Sequence, residues 1–362
     1  MKVFFFEPYP IEGPSSRYRV EQYIPYLEAN GVKCRVRPFV FPRFYKILYK
    51  KGFFLRKIAY FIFSTFVRLC DIPAALCSDV VFIHLEAYPL GPPLLEYFLA
   101  FCGKKIVYDL DDAIYLGKTS PSNMLLRYLK CPGKIPAIIR LSRHVITCNH
   151  YLAEYVSGFN RNVTVIHTGL DTDKFRPYPA SRSGERLVLG WIGSHSTAVY
   201  LEALNRVFIR LAKKYDFILK IIGAGERRFS ITGVEVVHLD WSLKEEVAQF
   251  QSLDIGVYPL PAEEWVLGKT GFKTIQYMSC GIPCVVSNVG TNPLIVKDGE
   301  NGFLAKSEDE WVDKISRLIE NRDLRRKIGS AGRETIIGKY SLKVNAPRLL
   351  KVLLDVRDLR NN

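Results

Sequence analysis

The sequence predicts an α/β protein built as two doubly wound, Rossmann-like domains that face each other across a cleft. Three observations lead there. Short β-branched or aromatic runs alternate with helical apolar spacing along most of the chain, which calls for parallel sheets covered by helices. The 362 residues amount to about two domains of ordinary size. A turn-rich stretch at 176–185, RPYPASRSGE, has almost no aliphatic content and separates two such series as a linker does. The domains are therefore set at 1–175 and 176–341.

In chain order, 3–6 reads as a first buried strand. Residues 18–30 have helical apolar spacing and stop at Gly31, a helix C-terminal residue. Strands follow at 33–39, 80–84, 105–108, 145–147 and 163–166, and the first series closes near residue 170. The second opens with a strand at 187–192 and an amphipathic helix at 197–214. Further strands fall at 217–222, 234–239, 254–258 and 284–287, with helical patterns at 243–252, 273–280 and 308–320. Ligands of such sheets sit beyond the carboxyl ends of the strands, so the loops there are the places to look for chemistry.

A hydrophobic fraction of 48% against 24% charged residues is a globular balance and excludes a disordered or fibrous chain. Fifty-one basic and 36 acidic residues give a net charge of +15. That excess points to an anionic partner: nucleotide phosphates, an anionic membrane surface or nucleic acid. The eight cysteines show no CxxC spacing and mostly lie in apolar runs, so they are expected as buried, reduced thiols in a reducing cytosol. The apolar N-terminal run ends at Pro8, too short for a signal peptide. The apolar stretch 58–67 is about half a membrane span, so no transmembrane segment is expected.

The densest segment is 268–293, GKTGFKTIQYMSCGIPCVVSNVGTNP. A glycine-bearing loop with Lys269, Thr270 and Gly271 runs into a helix near Phe272. The free N–H groups of that helix start, with Lys269 and Lys273, make a ready anion site; a solvated helix start is the plainer alternative, though a lysine there opposes the helix dipole unless an anion is bound. A nucleotide-triphosphate phosphate loop does not fit, because position 263 is Glu where that motif needs Gly. Gly223 and Gly225 do not complete a dinucleotide fingerprint either, since Arg228 stands at the third glycine. The loop Gly193, Ser194, His195 and Ser196 lies between a strand and a helix. Ser194 or Ser196 can cap that helix, and the loop N–H groups can hold a diphosphate.

Residues 268–304 resemble the donor-binding signature of the family 4 retaining glycosyltransferases, which have the GT-B fold. The helix and strand QYMSCGIPCVV at 276–286 and the turn DGENGF at 298–303 carry the likeness. VIHTGLDTDKFRP at 165–177 is similar to that family's interdomain entry segment, and 325–340 to its late helix. By the same likeness 342–359 is the terminal helix, and 342–362 packs back on the first domain. The family's Glu-x7-Glu motif falls here at Gly268 and Gln276, as in a variant branch. The resemblance implies that Gln276 holds the nucleotide ribose as donor and acceptor. It leaves the first glutamate's role to Glu263 or Glu264, or to phosphate contacts from Lys269 and Lys273. His195 stands near where the family places its phosphate-binding basic residues. The co-substrate implied is a nucleotide-sugar; no metal is expected, since helix dipoles and basic side chains neutralise the leaving diphosphate in this fold.

In the first domain, YDLDDAIY at 108–115 places three carboxylates after a buried strand. Such a cluster is costly unless it binds something. Asp111 or Asp112 can bind sugar hydroxyls, deprotonate an acceptor hydroxyl, or simply cap a helix; a divalent metal is a further alternative. By resemblance, a catalytic-site histidine of the family lies near Asp111. His84 and Glu86 end the preceding strand and line the same cleft. Arg17 and Arg19, after the Gly13 loop, are candidates for an acceptor phosphate, with a plain solvated helix start as the alternative.

Residues 29–70 hold ten Lys and Arg and no acid, with eleven aromatics interleaved from Phe39 to Phe66. The pieces within 43–68 read as basic, aromatic amphipathic helices of the kind that lie in the headgroup plane of anionic bilayers; a buried helix pair is the alternative, which explains the aromatics but not the one-signed charge. No nucleic-acid motif accompanies the charge, so nucleic acid is not expected as a partner.

The expectation is a hexosyltransferase-type glycosyltransferase that moves a sugar from a nucleotide-sugar to a lipid-linked glycan, with retention. It would be cytoplasmic and peripheral on the inner face of the membrane. Two alternatives are a sugar-nucleotide epimerase of the same fold and a non-catalytic membrane- or nucleic-acid-associated protein on a degenerate transferase scaffold.

Overall fold

The computed structural model describes residues 1–50, 52–117, 131, 133–178 and 186–359. Residues 179–185 of the expected linker, and Lys51 of the basic segment, lie outside them. The chain divides into two compact units: 1–169 with 345–362, and 170–344.

The first unit is built on a parallel sheet of β1 (Lys2–Glu7), β2 (Lys33–Pro38), β3 (Val80–His84), β4 (Lys105–Leu110), β5 (His144–Thr147) and β6 (Val163–Val165). Its strand order is β2-β1-β3-β4-β5-β6. Phe4, Phe6, Val81, Ile83, Ile106, Tyr108 and Val145 fill its core. β1, β3 and β4 are near-continuous apolar runs because both faces of a parallel sheet are covered. The last helix, Leu342–Asp358, buries Leu349, Val352, Leu353 and Val356. From this helix the Arg357 carbonyl accepts from Lys105 Nζ at 2.6 Å, and Arg348 donates to the Val165 carbonyl at 2.8 Å.

The second unit's sheet is also parallel: β7 (Leu187–Ile192), β8 (Phe217–Ile222), β9 (Glu235–Leu239), β10 (Ile255–Tyr258), β11 (Cys284–Ser287) and β12 (Phe303–Ala305). The order is β12-β11-β10-β7-β8-β9, with Trp191, Phe208, Phe303 and Trp311 in its core. The short β12, next to the 298–303 turn, has no counterpart among the strands read from sequence.

Two expected helices are interrupted. Residues 18–30 form helix Pro14–Arg19, a 3₁₀ turn Glu21–Tyr23 and helix Ile24–Ala29. Pro25, at the start of the last piece, has no N–H to continue an earlier helix. Residues 197–214 begin as the 3₁₀ helix Ala198–Leu204 before helix Asn205–Ala212. All eight cysteines are free, but only Cys148, Cys280 and Cys284 are buried; Cys70, Cys77 and Cys102 are exposed. Apolar neighbours in sequence did not place them in the core, because the helices that carry several of them turn apolar faces outward.

That is clearest in helix Phe54–Cys70. Its inward side carries buried Ser64 and Arg68, while Phe54, Leu55, Ile58, Ile62, Phe63, Phe66 and Leu69 are exposed. Arg68 lies over the Phe6 ring at 4.5 Å and donates to the Arg37 carbonyl at 3.1 Å. The stretch Phe54–Leu76 is long and apolar enough to cross a membrane by length and composition, and 22% of an 18-residue apolar window within it is buried. It runs beyond the half-span read at 58–67, through Arg68, which is buried. Of its own charges only Arg56 is fully exposed; Arg43, Lys46 and Lys50 are exposed on the segment before it.

Candidate active site

In the first unit the carboxyl ends of β1, β3 and β4 bring a polar chain together. Arg19 donates from Nε to Asp109 Oδ2 at 3.0 Å and from Nη2 to Asp109 Oδ1. His84 Nδ1 lies 2.8 Å from the same Oδ2. Its Nε2 is 2.7 Å from Ser15 Oγ, which is 2.8 Å from Asp111 Oδ2. His84, Asp109 and Arg19 are buried, and the Asp111 side chain is 12% exposed. Burial alone would lift the Asp109 pKa, but the Arg19 charge and the bonds from His84 and Arg19 outweigh it and hold this carboxyl below its ordinary value. Asp111 goes the other way: burial raises its pKa, opposed by His84 and reinforced by Asp109. Its Oδ1 has no hydrogen-bond partner among the described residues.

The structure thus joins Asp111 and His84 through Ser15, a residue the sequence reading passed over as part of a loop. Asp112 instead accepts from the Ala113 N–H at 2.8 Å. Arg19 is the buried counter-ion of Asp109. Arg17 is buried too and donates to the Ile11 carbonyl at 2.9 Å. Glu86 pairs with buried Lys134 at 2.7 Å. Among the described residues, no three of His, Cys, Asp and Glu gather so as to hold a metal ion.

In the second unit the loops after β7, β8, β10 and β11 lie at strand carboxyl ends. Gly193 and Gly223 pack closely: a Cβ at Gly223, whose φ is +83°, would stand 2.4 Å from the Gly193 carbonyl oxygen. Only glycine fits there, which gives Gly223 a packing role. In the 193–197 loop the Ser194 N–H donates to Thr197 Oγ1 at 3.1 Å, and Ser194 and Ser196 hydroxyls meet at 2.9 Å. His195 lies beside Gly225, whose Cβ would come 3.1 Å from the His195 Cβ.

Helix Phe272–Ser279 begins at Gly271, which is left-handed at φ +63°, with no side-chain cap and no acid in the first turn. Its N-terminus presents the partial positive end of the helix dipole. The preceding loop is tied from β11's side: Thr291 Oγ1 donates to the Lys269 carbonyl at 2.9 Å, and Thr274 Oγ1 to Asn292 Oδ1 at 2.9 Å. Lys269 Nζ sits 4.7 Å from the Trp265 ring centroid and Lys273 Nζ 5.4 Å from that of Phe250. Lys273 also donates to Gln276 Oε1 at 2.8 Å, and Gln276 Nε2 to buried Glu246 at 3.3 Å. Gln276 is fully buried. Glu263 accepts from the Trp265 indole N–H at 2.7 Å. Glu246, 30 residues before Gln276, carried no motif and was legible only once the fold joined them.

Residues 186–321 match the family model described as "Glycosyl transferases group 1". The capsular polysaccharide biosynthesis glycosyltransferase CapM of Staphylococcus aureus is 24% identical over 59% of this chain and 59% of its own length. A GDP-mannose-dependent alpha-(1-6)-phosphatidylinositol monomannoside mannosyltransferase of Mycolicibacterium smegmatis is 26% identical over 58% of this chain and 61% of its own. The chain therefore spans about three fifths of these relatives. HepE of Anabaena, solved with UDP-glucose, superposes with a TM-score of 0.70 at 16% identity, covering 98% of this chain and 100% of that one. The chain thus has the GT-B fold, and residues 186–321 of its second unit are similar to the group 1 glycosyl transferases.

Proposed function

We propose that this protein is a glycosyltransferase that moves a sugar from a nucleotide-sugar to a lipid-linked glycan at a membrane surface, with retention. The observation that carries this reading is the uncapped start of helix Phe272–Ser279 with Lys269 and Lys273, inside the matched 186–321 region. Two cations, first-turn N–H groups and the 193–197 loop suit a diphosphate, and the Lys273, Gln276 and Glu246 set suits a ribose that displaces part of their mutual bonding. Asp111 is the group for the reacting hydroxyls. UDP-glucose bound to HepE makes a UDP-sugar the first donor to try, and the mycobacterial relative's name makes a GDP-sugar the second.

The membrane part of the proposal draws on helix Phe54–Cys70. Buried Ser64 and Arg68 along its inner side favour a helix lying on the bilayer over one crossing it, and its exposed aromatic and aliphatic face suits the headgroup boundary. The test of the donor reading is a thermal-shift screen of sugar nucleotides on the full chain. Stabilisation by a nucleoside diphosphate and its sugar, but not by the free sugar, is expected; no shift with any nucleotide contradicts it.

A further inference from the structure

Three heavy atoms in the first unit are spaced so tightly that their hydrogens can be counted. Ser15 Oγ lies 2.7 Å from His84 Nε2 and 2.8 Å from Asp111 Oδ2. Each contact needs one hydrogen. On the far side of the ring, Asp109 is ionised against Arg19 and accepts from His84 at 2.8 Å, so Nδ1 carries a hydrogen. With a neutral His84 and an ionised Asp111, the single hydroxyl hydrogen would serve only one contact and leave two lone pairs facing each other across the other. A second hydrogen must belong to the set.

We propose that Ser15 is a proton relay: it joins Asp111 to His84, and the three residues hold one shared proton. In one form His84 is an imidazolium that donates to Ser15, and Ser15 donates to ionised Asp111. In the other, Asp111 is a neutral acid that donates to Ser15, and Ser15 donates to Nε2. To pass between them, the Nε2–H bond forms as the Ser15 O–H bond breaks, and a new Ser15 O–H bond forms as the Asp111 O–H bond breaks. No net charge enters or leaves. Asp109 favours and Arg19 opposes positive charge on His84, while His84 and Arg19 favour, and Asp109 and Asp112 oppose, negative charge on Asp111. Cys148, whose thiol donates to the Asp111 carbonyl at 3.3 Å, and Tyr108 are further titratable groups that face it. Asp111 Oδ1, which lies 4.0 Å from His84 Nε2 and has no hydrogen-bond partner among the described residues, is left to meet an incoming hydroxyl. Ser15 is thus a positioning residue that sets whether Asp111 gives or takes a proton.

That last consequence rests on the glycosyltransferase reading; the relay itself does not. It is tested by following the His84 ring nitrogens by NMR against pH in the full chain without substrate. Asp111→Asn should move the His84 midpoint by about one pH unit or more when Ser15 is present. The same change should move it by less than half as much in Ser15→Ala, while Ser15→Thr, which keeps the hydroxyl, should behave as wild type. Equal shifts with and without the hydroxyl would overturn the relay, because Asp111 would then act on His84 through space alone. In turnover, Ser15→Ala should displace the pH profile of kcat with the donor KM unchanged. Absence of turnover with every sugar nucleotide would sink the function reading and leave the NMR result standing.

Discussion

Lys273 and Asp111 make different demands on a substitution, and the difference separates binding from chemistry. A lost charge-assisted contact to a diphosphate costs about 1.5–3 kcal/mol. Lys273→Ala is therefore expected to weaken nucleoside diphosphate binding at least about tenfold by calorimetry, and Lys269→Ala similarly; unchanged affinity in both removes the anion site. Asp111→Asn should lower turnover far more than it changes nucleotide affinity, and full turnover would return this carboxyl to a structural role. Glu7 offers a pH test of the fold. Burial, then the Glu21 charge, pushes its carboxyl up from 4.5 to about 9. Between those values the folded state holds a proton that the unfolded state has released, so stability falls as pH rises. Glu7→Gln should flatten the decline of Tm from pH 5 to pH 8; parallel curves for the two proteins would contradict the assignment. The residues singled out from sequence were those in motifs or runs of one charge. Ser15 and Glu246 lie in neither, and their partners are 69 and 30 residues away, a separation only the sheet order closes.

The strands were legible because a parallel sheet buried on both faces leaves short apolar runs between turn residues, and β3, β7, β8 and β11 fall where those runs stand. The helices were less so. Periodicity does not see Pro25 or the 3₁₀ start at Ala198, and it reads helix Phe54–Cys70 with its faces unassigned, since an apolar face marks a core or a membrane equally well. Here the inner side mixes buried Ser64 and Arg68 with Tyr60 and Phe61, which pack on the Phe39 and Phe44 cluster, and most of the large apolar side chains face outward. The helix is expected to sediment with anionic vesicles more than with neutral ones, and high salt should release only part of it. Lys46, Lys50, Arg56 and Lys57 changed together to Glu should remove the salt-sensitive part, and Phe54→Ser with Leu55→Ser and Phe66→Ser the salt-resistant part. No binding to either vesicle would make this face an exposed apolar surface with another purpose.

At the scale of the whole molecule, each unit closes its own parallel sheet, and the change from one to the other at residue 170 falls near the end of the first strand series read from sequence. The resemblance read from sequence leaves Gly268 and Gln276 without carboxylates, so donor binding is not plain from the sequence, and the fold sets Lys273 and Glu246 against Gln276. The central claim is that this arrangement acts on a nucleotide-sugar. The most direct measurement is the release of nucleoside diphosphate from UDP- and GDP-sugars by the full chain, with anionic vesicles carrying a lipid-linked glycan. Release is expected to rise with the acceptor and to drop at least about tenfold in Lys273→Ala at subsaturating donor; a folded protein that binds the vesicles yet releases no diphosphate from any sugar nucleotide would contradict this reading.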